Sequence, residues 1–306
     1  MITVFGSINA DISVAASHLP APGETVLGGQ GLLSPGGKGA NQAHAARRYG
    51  APVRLYGAVG DDAFGAPALR CLRQAGVDTG GVDVIAGLAT GLALIVLDAQ
   101  GENSIVVAPG ANQAARAAQV PDQALRATRV LLLQLETDLA ETAALARRAR
   151  ALGCLVMLNA SPPGDALPPD LLAVDVLIVN QGELARLAGR GGAPAELALA
   201  LARGHGNAVL VTLGGEGALL AQADGALLRA PAPQVTVLDT TGAGDTFAGV
   251  FAAAVASGGS YQAALDRAAV AASLACTRRG AQAAQPSRQE IDAARCAAIP
   301  SGQEQA

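Results

Sequence analysis

A run of small residues that ends in a carboxylate is the strongest chemical signal in the sequence. The run, Asp239–Gly249, reads DTTGAGDTFAG. Because Gly242, Ala243 and Gly244 carry no bulky side chain, their backbone N–H groups can converge on an anion at the start of the helix that follows. Asp245 would repel that anion, which makes sense if Asp245 is a general base for a hydroxyl that attacks a phosphoryl group. The alternative is an ordinary first-turn carboxylate that interacts favourably with the helix dipole.

Two further polar segments could bind a sugar. Ser34–Ala43 reads SPGGKGANQA, and its glycines let the backbone approach a ligand while Lys38 and Asn41 add groups suited to hydroxyls or phosphate. Asn9 and Asp11 follow the first predicted strand and alternate onto one side of an extended chain, where they could grip vicinal hydroxyls. The alternatives are a glycine turn that caps a helix and a simple Asn-x-Asp turn.

Polar groups also follow three apolar runs further along the chain. Glu136 ends one of them, with a helix-start carboxylate as an equal alternative. Asn180 and Glu183 follow the next and could hold water around a phosphate-bound Mg²⁺, although their spacing is also that of a helix cap. The glycine turn Thr212–Gly217 closes another run and could pass beneath a nucleotide.

The standard nucleotide-binding motifs are absent from the sequence. Lys38 follows Gly37, but Gly39 stands where a P-loop has Ser or Thr, and Leu32 stands where its first glycine belongs. The glycines of the 242–244 run lack a third glycine three residues later, so a dinucleotide site is not supported. A kinase with this sequence would therefore have to bind phosphate through a different motif.

Short apolar runs alternate with Ala-rich amphipathic stretches along most of the chain. The predicted strands are Ile2–Phe5, Val53–Val59, Val130–Leu135, Leu155–Leu158, Val176–Val179 and Val209–Thr212. The predicted helices are Ala40–Tyr49, Ala63–Ala75, Leu139–Ala151, Ala195–Arg203 and Ala243–Ser257. The alternation predicts an α/β fold of parallel βαβ units under a helical cover. Right-handed crossovers then bring the carboxyl ends of the strands, and the polar segments after them, to one edge of the sheet.

Two segments, Ile12–Pro35 and Thr90–Pro109, interrupt this alternation with extended chain and turns. In the second, Gly91–Asp98 and Asn103–Ala108 flank a short turn that ends in Gly101, which predicts a β-hairpin. We expect the two segments to meet as a small β-lid; irregular surface loops are the alternative. The predicted division is a core of residues 1–11, 36–89 and 110–299, a lid of residues 12–35 and 90–109, and a disordered tail at 300–306.

Composition and charge exclude several classes of protein. The chain has 306 residues, 21 basic and 25 acidic side chains, a net charge of −4 and 2% aromatic residues. This balance supplies neither a basic surface nor stacking platforms for a nucleic acid. The longest apolar runs, such as Gly249–Ala256, are shorter than the ~20 residues of a membrane helix, and the N-terminus lacks the basic start of a secretory signal. The scattered Cys and His residues suggest neither zinc nor a redox dithiol. We expect a cytoplasmic protein with small-molecule ligands and no nucleic-acid or membrane partner.

Taken together, these segments resemble the PfkB-type carbohydrate kinases. The resemblance runs from Gly6–Asp11 to Thr277–Gln282, and Asp239–Asp245 looks like the general family signature. Asn9-Ala10-Asp11 together with Gly36–Gln42 narrows the match to the ribokinases. The resemblance implies a three-layer α/β/α sandwich with a mostly parallel sheet and a β-lid, and an enzyme that phosphorylates D-ribose at its 5-hydroxyl with ATP. The alternatives are another kinase of the family, acting on deoxyribose, a nucleoside or a ketohexose, and a non-catalytic sugar-binding regulator.

The resemblance also implies a role for each residue of the site. Asp245 would be the base, with the anion hole at Gly242, Ala243 and Gly244. The sugar would be bound by Asn9, Asp11, Gly37, Lys38, Gly39, Ala40, Asn41, Glu136 and Asp245. ATP would be bound by Asn180, Glu183, Thr212, Leu213, Gly214, Gly215, Glu216, Gly217, Gly244 and Asp245, with Mg²⁺ on its phosphates.

A monovalent-cation site is a further implication of the resemblance. A K⁺ ion beside the anion hole would use Asp239, Thr241, Ala275, Arg278 and Gly280, several of them through backbone carbonyls. Two positions depart from the family pattern: Ala284 stands where a serine usually contributes to the cation site, and Ala269 stands where Asn or His often lies near the adenine. We also expect a homodimer through the β-lid, because the outer face of a four-stranded lid would be an open apolar surface.

Overall fold

The structure is a computed structural model that describes residues 1–100, 102–164 and 167–298. Gly101 of the predicted hairpin turn and the predicted disordered tail at 300–306 lie outside the described residues. None of the helices in these ranges has the length and hydropathy of a membrane-crossing segment.

Strands and helices alternate along the described chain. The strands are β1 (Ile2–Phe5), β2 (Asn9–Ala15), β3 (Leu32–Gly36), β4 (Val53–Gly60), β5 (Asp78–Ile85), β6 (Gly91–Leu97), β7 (Asn103–Ala108), β8 (Val130–Leu133), β9 (Leu155–Asn159), β10 (Val176–Asn180), β11 (Ala208–Thr212), β12 (Ala218–Gln222) and β13 (Leu227–Ala230). The helices are α1 (Lys38–Arg48), α2 (Gly65–Ala75), α3 (Asp122–Arg126), α4 (Leu139–Ala151), α5 (Pro169–Leu172), α6 (Gln181–Ala188), α7 (Pro194–His205), α8 (Ala243–Ala256), α9 (Tyr261–Ala275), α10 (Ala281–Ala284) and α11 (Arg288–Ala298).

The central sheet has nine strands within the described ranges, in the order β13-β12-β11-β10-β9-β8-β1-β4-β5. From β11 through β5 neighbouring strands run parallel, whereas β12 and β13 pair antiparallel at one edge. The predicted α/β fold with a mostly parallel sheet is therefore confirmed. Each predicted strand and helix is present, although β8 ends at Leu133 rather than at the predicted Leu135.

Helices cover both faces of the sheet, because the parallel strands bury their side chains on both sides. In β8, Val130 and Leu132 pack into one apolar cluster with α1, α8 and α9. Leu131 and Leu133 of the same strand pack into a second cluster with α4 and α7 on the opposite face. The chain is thus the expected three-layer α/β/α sandwich.

The two interrupting segments meet in a separate sheet of order β3-β2-β6-β7. Strand β6 pairs antiparallel with β7, as the hairpin pattern predicts, and parallel with β2. The prediction of a small β-sheet rather than irregular loops is therefore confirmed. One face of this sheet exposes large apolar side chains on three neighbouring strands, because Leu94 stands directly opposite Val106, and Leu33 and Leu94 both stand opposite Ile12. We call Leu33, Leu94 and Val106 the lid face.

Helices α1 and α8 approach each other unusually closely. Gly249 of α8 lies against α1, where an added Cβ would come within 2.5 Å of the carbonyl oxygen of Gln42 and 2.8 Å of the Cβ of Ala45. A side chain of any size would push the two helices apart, so glycine is required here by packing.

Candidate functional site

The carboxyl ends of four parallel strands meet at one edge of the central sheet. Ser7 follows β1, Glu136 follows β8, and Asn180 and Thr212 are the last residues of β10 and β11. The helices α1 and α8 begin at the same edge. The structure thus brings together the polar segments that the sequence singles out, as the topology of an open parallel sheet predicts.

Glu136 lies at the start of α1. Its Oε2 accepts hydrogen bonds from the Ser7 hydroxyl at 2.5 Å and from the Lys38 backbone N–H at 3.1 Å. The Gly39 N–H in turn donates to the Ser7 Oγ at 3.3 Å. A carboxylate here satisfies free N–H groups of the helix and favours its dipole. Glu136 therefore fixes the segment that carries Lys38, in addition to any contact with a ligand.

The glycines of the first polar segment are crowded by the protein itself. Gly37 has φ +89°, which favours glycine. A Cβ on Gly39 would lie 2.6 Å from the carbonyl carbon of Gly6, and a Cβ on Gly36 would lie 2.1 Å from both carboxylate oxygens of Asp11. These glycines let three backbone segments meet and leave room for the Asp11 side chain.

Asp11 carries an unused hydrogen-bond acceptor. Its Oδ1 is buried and has no hydrogen-bond partner in the described part of the chain. Burial and, to a smaller extent, the negative charges of Glu136 and Asp245 together raise the pKa of this carboxyl from 3.8 to about 7. A buried acceptor without a donor is costly, so this oxygen suits the hydroxyl of a bound ligand.

Asn9 is buried beside Asp11 and is held by an amide that the sequence did not single out. The Nδ2 of Asn112 donates to the Asn9 Oδ1 at 2.7 Å, and the Ile8 N–H donates to the Asn112 Oδ1 at 2.9 Å. The Oδ1 of Asn9 therefore already accepts a hydrogen bond from the protein. Its Nδ2 is the group that a ligand could engage.

Asp245 lies buried in the first turn of α8, with both carboxylate oxygens bonded. The Nδ2 of Asn41 donates to its Oδ2 at 3.0 Å, and the Nε2 of Gln42 donates to its Oδ1 at 2.9 Å. Both donors belong to α1, so the close packing of α1 and α8 sets the orientation of this carboxylate. Each oxygen keeps acceptor capacity for one more donor.

The start of α8 has the form expected of an anion-binding turn. Gly242 is the N-cap with φ +71°, and no side chain caps the helix. The Ala243 N–H donates to the Thr240 carbonyl at 3.2 Å, whereas no bond among the described residues engages the N–H groups of Gly242 and Gly244. The free donors of the predicted anion hole are therefore Gly242 and Gly244.

A cavity of about 150 Å³ lies between this turn and the carboxyl end of β10. Lys38, Asn180, Glu183, Gly244 and Asp245 line it. Burial lowers the pKa of Lys38, but the carboxylates of Asp245, Glu136 and Glu183 outweigh burial, so the net pKa is raised. The ammonium therefore stays charged, as a phosphate site requires.

Asn180 and Glu183 form the helix cap that the sequence left open as the alternative. The Glu183 N–H donates to the Asn180 Oδ1, and the Asn180 N–H donates to the Glu183 Oε2, both at 2.8 Å. The two residues also line the 150 Å³ cavity. Capping and a role near phosphate are compatible, because the cap uses only one carboxylate oxygen of Glu183.

A second cavity, of about 300 Å³, adjoins the first at Thr212 and Gly244. Gly214, Gly215 and Gly217 form one wall, and the opposite wall is largely apolar, formed by Phe247, Ala269, Ala272, Ser273 and Cys276. An apolar slot next to a polar pocket has the shape that a base and its phosphates need. Leu213 and Glu216 of the predicted nucleotide set line neither cavity.

Asp239 ties together the loop where the cation site is predicted. Its Oδ1 accepts from the Thr241 N–H at 2.9 Å and its Oδ2 from the Gly280 N–H at 2.8 Å. Burial would raise the pKa of Asp239, but the bonds from Gly280 and Thr241 lower it overall. The Ala275 carbonyl accepts from the Arg278 N–H at 3.1 Å, and the Arg278 guanidinium pairs with Glu290. The predicted residues are thus neighbours, and the side chain of Arg278 is committed elsewhere.

The two alanines that depart from the family pattern, Ala284 and Ala269, do not themselves supply the missing polar groups. Ala284 is fully buried, and Ser287 instead bonds Glu290 at the start of α11. Ala269 lines the apolar wall of the 300 Å³ cavity and adds no polar group to it.

Sequence reasoning missed a set of buried amides at this edge. Gln42 and Gln134 are fully buried, and Asn159 and Gln282 bond to the same network. Gln134 and Asn159 each close an apolar run, which is the signal that singled out Glu136, so both could have been found. A larger open depression of about 740 Å³, lined by residues such as Arg150, Asp175 and Tyr261, lies at the opposite edge and includes none of the predicted site residues among the described chain.

Comparison with known proteins agrees with this arrangement. The family model described as pfkB family carbohydrate kinase matches residues 1–288. A ribokinase of Schizosaccharomyces pombe is 35% identical over 95% of this chain and 96% of its own length. A deoxyribokinase of Salmonella typhi is 32% identical over 95% of this chain and 97% of its own. The solved structure of the Arabidopsis thaliana ribokinase complexed with ribose and ATP matches with a TM-score of 0.87 and 32% identity, covering 95% of this chain and 97% of that one.

Proposed function

The chain belongs to the pfkB family of carbohydrate kinases, and from this membership we propose that it transfers the γ-phosphoryl group of ATP to the 5-hydroxyl of D-ribose. The products are D-ribose 5-phosphate and ADP. The observation that carries the proposal is the position of Asp245. Its carboxylate lies between the sugar segment, through Asn41 and Gln42, and the cavity lined by Lys38 and Gly244.

The proposed reaction needs little covalent chemistry from the protein. The bond from the sugar oxygen to the γ-phosphorus forms as the bond from that phosphorus to the β–γ bridging oxygen breaks. Asp245 takes the hydroxyl proton, and ADP leaves with the electron pair of the broken bond. Because the transition state is loose, catalysis rests on positioning and on donors for the developing charge, here the N–H groups of Gly242 and Gly244 and the ammonium of Lys38.

The sugar is proposed to bind where the lid strands enter the core. Asn9 and Asp11 stand at the start of β2, and the segment Gly37–Asn41 follows the end of β3. The unpartnered Oδ1 of Asp11 and the free Nδ2 of Asn9 match the donor and acceptor sides of ring hydroxyls. Glu136 supports this segment through Ser7 and the Lys38 N–H.

ATP is proposed to occupy the two adjoining cavities, with its base in the slot beside Gly215 and its phosphates near Lys38. A phosphate-bound Mg²⁺ would neutralise charge on the phosphates. The donor set fits this ion, because Glu183 and Asn180 offer oxygen and amide groups that can hold its water ligands.

We also propose the cation site at Asp239, Thr241, Ala275, Arg278 and Gly280. Its carboxylate and carbonyl oxygens fit K⁺, and Asp239 keeps acceptor capacity beyond its two N–H bonds. The buried methyl of Ala284 brings no oxygen to the site. We therefore expect Ala284→Ser to lower the K⁺ concentration for half-maximal activation; identical K⁺ curves would remove this position from the site.

Dimerisation through the lid is proposed from the lid face. Its three exposed apolar side chains form a sheet surface that would lose contact with water in a symmetric dimer. Sedimentation at micromolar concentration should give a dimer that Val106→Asp converts to a monomer. A monomeric parent would refute the proposal. We place the enzyme in the cytoplasm, where ATP is supplied; cell fractionation tests that.

Other sugars remain the alternative within the same family, since a deoxyribokinase is nearly as similar to the chain as the ribokinases. Ribose is favoured because Asn9 and Asp11 together suit a pair of vicinal hydroxyls. In 2-deoxyribose one hydroxyl of that pair is missing. Phosphorylation rates on ribose, 2-deoxyribose, fructose and adenosine separate these substrates. Saturable ribose binding with no ADP release would instead favour the sugar-binding regulator.

The central experiment is Asp245→Asn, which keeps shape and removes the proton acceptor. If Asp245 is the base, kcat falls by about two to four orders of magnitude, whereas ATP binds as well or better because a negative charge beside its phosphates is gone. A mere dipole role predicts near-normal turnover and a loss of about 0.3–1 kcal/mol in helix stability. A variant that keeps more than about a tenth of parental kcat would exclude Asp245 as the base.

A further inference from the structure

We propose that Gln42 is a positioning residue that holds Asp245 in the orientation needed to accept a proton; this inference rests on the proposed role of Asp245 as the base. The side chain of Gln42 is fully buried, so it reaches neither cavity. Its effect on the reaction must therefore pass through the carboxylate that it contacts.

The hydrogen bonds around Gln42 fix which way its amide points. Asn159 donates from its Nδ2 to the Ile178 carbonyl at 3.3 Å, and a carbonyl can only accept. The Asn159 Oδ1 must therefore face Gln42, which donates to it from Nε2 at 3.0 Å. A flipped Gln42 amide would set its oxygen against two acceptors, the Asn159 Oδ1 and the Asp245 Oδ1.

Gln134 fixes the position of the oxygen atom of the Gln42 amide. Its Nε2 donates to the Gln42 Oε1 at 2.7 Å, and Gln134 is itself fully buried. The Gln134 Oε1 is left buried without a partner among the described residues. It fits only because Gly6 has no side chain: a Cβ there would lie 1.9 Å from this oxygen. The structure tolerates a buried unpaired acceptor and keeps the donor of Gln134 aimed at Gln42, which marks this orientation as functionally important.

The consequence for Asp245 is a fixed carboxylate plane. Asn41 holds its Oδ2 and Gln42 holds its Oδ1, so rotation about the carboxylate bond would break both bonds. Both donors are neutral amides, so neither of them adds a positive charge beside the base. The lone pairs that remain on the two oxygens are then directed at the ligand side, where the sugar hydroxyl is proposed to bind.

Loss of Asn41 and loss of Gln42 should change different kinetic constants. Asn41 belongs to the proposed sugar segment, so its loss should affect both KM and kcat. The Gln42 side chain bonds Asp245, the buried Gln134 and the half-buried Asn159, and it lines neither cavity itself. Asn159 lines the smaller cavity but keeps its bond to the Ile178 carbonyl, so loss of Gln42 should lower kcat and leave the KM values for ribose and ATP nearly unchanged. A purely structural role would lower the fraction of folded protein and leave the kinetics of the folded enzyme intact.

The test compares Gln42→Leu and Gln42→Glu with the parent and with Asn207→Leu. Asn207 is a buried amide at the opposite edge of the sheet, 8% exposed against 0% for Gln42 and bonded to the Leu172 carbonyl, so its variant controls for the loss of a buried amide. For Gln42→Leu we expect kcat per folded enzyme to fall about 10- to 50-fold, with both KM values within about threefold of the parent. Asn207→Leu should keep the parental kcat once corrected for the folded fraction.

The charge of the replacement side chain gives the second readout. Gln42→Glu preserves shape but sets a carboxylate against the Asp245 Oδ1 in place of a donor, so kcat should fall at least as far as in Gln42→Leu, with both KM values again within about threefold of the parent. Gln42→Glu remains informative if Gln42→Leu fails to fold.

The outcomes separate the inference from the function on which it rests. Turnover lost in Asp245→Asn but unchanged within threefold in both Gln42 variants would overturn the role of Gln42 alone. Turnover retained in Asp245→Asn would overturn the base assignment itself. A loss in Gln42→Leu matched by Asn207→Leu would reduce the effect of Gln42 to packing.

Discussion

The glycines on the two sides of the site look alike in sequence but differ in what surrounds them. In the segment Gly36–Gln42, proposed to bind the sugar and called here the sugar half, a Cβ added to Gly36 or Gly39 would lie within 2.1 or 2.6 Å of the protein's own atoms. In the segments proposed to bind the nucleotide, called here the nucleotide half, a Cβ on Gly215 or Gly244 would meet no atom of another described segment within 4 Å. The first pair of glycines is required by internal packing, and the second pair borders open space, where ATP is proposed to bind.

This difference teaches that a glycine motif has two separate physical origins. In the sugar half, glycine lets three backbone segments and the Asp11 carboxylate share one small volume. In the nucleotide half, glycine leaves the cavity wall without a side chain at these positions, so that the backbone itself can contact a ligand. Substitution by alanine should therefore damage stability in one half and binding in the other.

The largest expected effect is that of Gly39→Ala. The new methyl would lie 2.6 Å from the Gly6 backbone, which cannot move without disturbing β1 and α1 together. Although alanine is the better helix former, we expect the free energy of unfolding to fall by about 2–4 kcal/mol. Denaturant unfolding measures this, with Gly215→Ala as the matched control within about 0.5 kcal/mol of the parent. Equal stability of the two variants would remove the contrast.

A smaller effect, on binding alone, is expected for Gly244→Ala. The position lies in the first turns of α8 beside both cavities, where a methyl would occupy space proposed for phosphate. The ATP KM should rise about tenfold, while stability stays equal or increases by up to ~1 kcal/mol because alanine favours the helix. Gly204→Ala is the control, since it adds a methyl to α7 in open space away from the site. An unchanged ATP KM would show that this space is not used.

The smallest effect concerns the pH dependence of stability and tests how closed the sugar half is. The pKa of Asp11 is about 7 in the folded protein, against an ordinary value of 3.8, because the carboxyl is buried. Between these values the folded chain binds more protons than the unfolded chain, so the stability that protonated Asp11 allows is lost as the pH rises through 7.

Asp11→Asn cannot titrate and should escape this loss. Between pH 6 and pH 8.5, the parent should lose about 1–2 kcal/mol of unfolding free energy relative to the variant. Chemical denaturation of both proteins across this range provides the measurement. Parallel stability curves would mean that Asp11 is well hydrated and that the sugar half is more open than its glycines suggest.

Much of the fold could be predicted from local patterns. Strands such as β1 and β10 are short apolar runs bounded by polar residues, and the β6–β7 hairpin has its glycine-containing turn. Strands β5, β12 and β13 were missed. The edge strands lack a strong apolar signal, since β5 reads DTGGVDVI, with glycines and exposed polar residues, and β13 has only four residues. The interior strand β12 reads ALLAQ, and its Ala and Leu residues favour a helix as much as a strand. Edge strands bury fewer side chains, so their composition carries less information.

The site residues also fall into those that the sequence predicts and those that it does not. Residues that end an apolar strand, such as Glu136 and Asn180, could be predicted because the topology sends every strand end to one edge. The links among Gln42, Gln134 and Asn159 could not, because they join residues about a hundred positions apart through side-chain bonds that have no period in the sequence. Whether a glycine is crowded or open likewise depends on distant segments, which explains why both motifs looked the same.

The glycine at position 249 has a kinetic consequence. Because it lets α8 rest directly on the backbone of Gln42, the helix that carries Asp245 and the helix that carries Asn41 form one stiff unit. The separation between Asp245, the proposed base, and Asn41, the proposed sugar-binding amide, is therefore set when the protein folds and does not have to be re-established in each turnover. In the proposed mechanism, little of the activation barrier would come from rearranging the protein around the base.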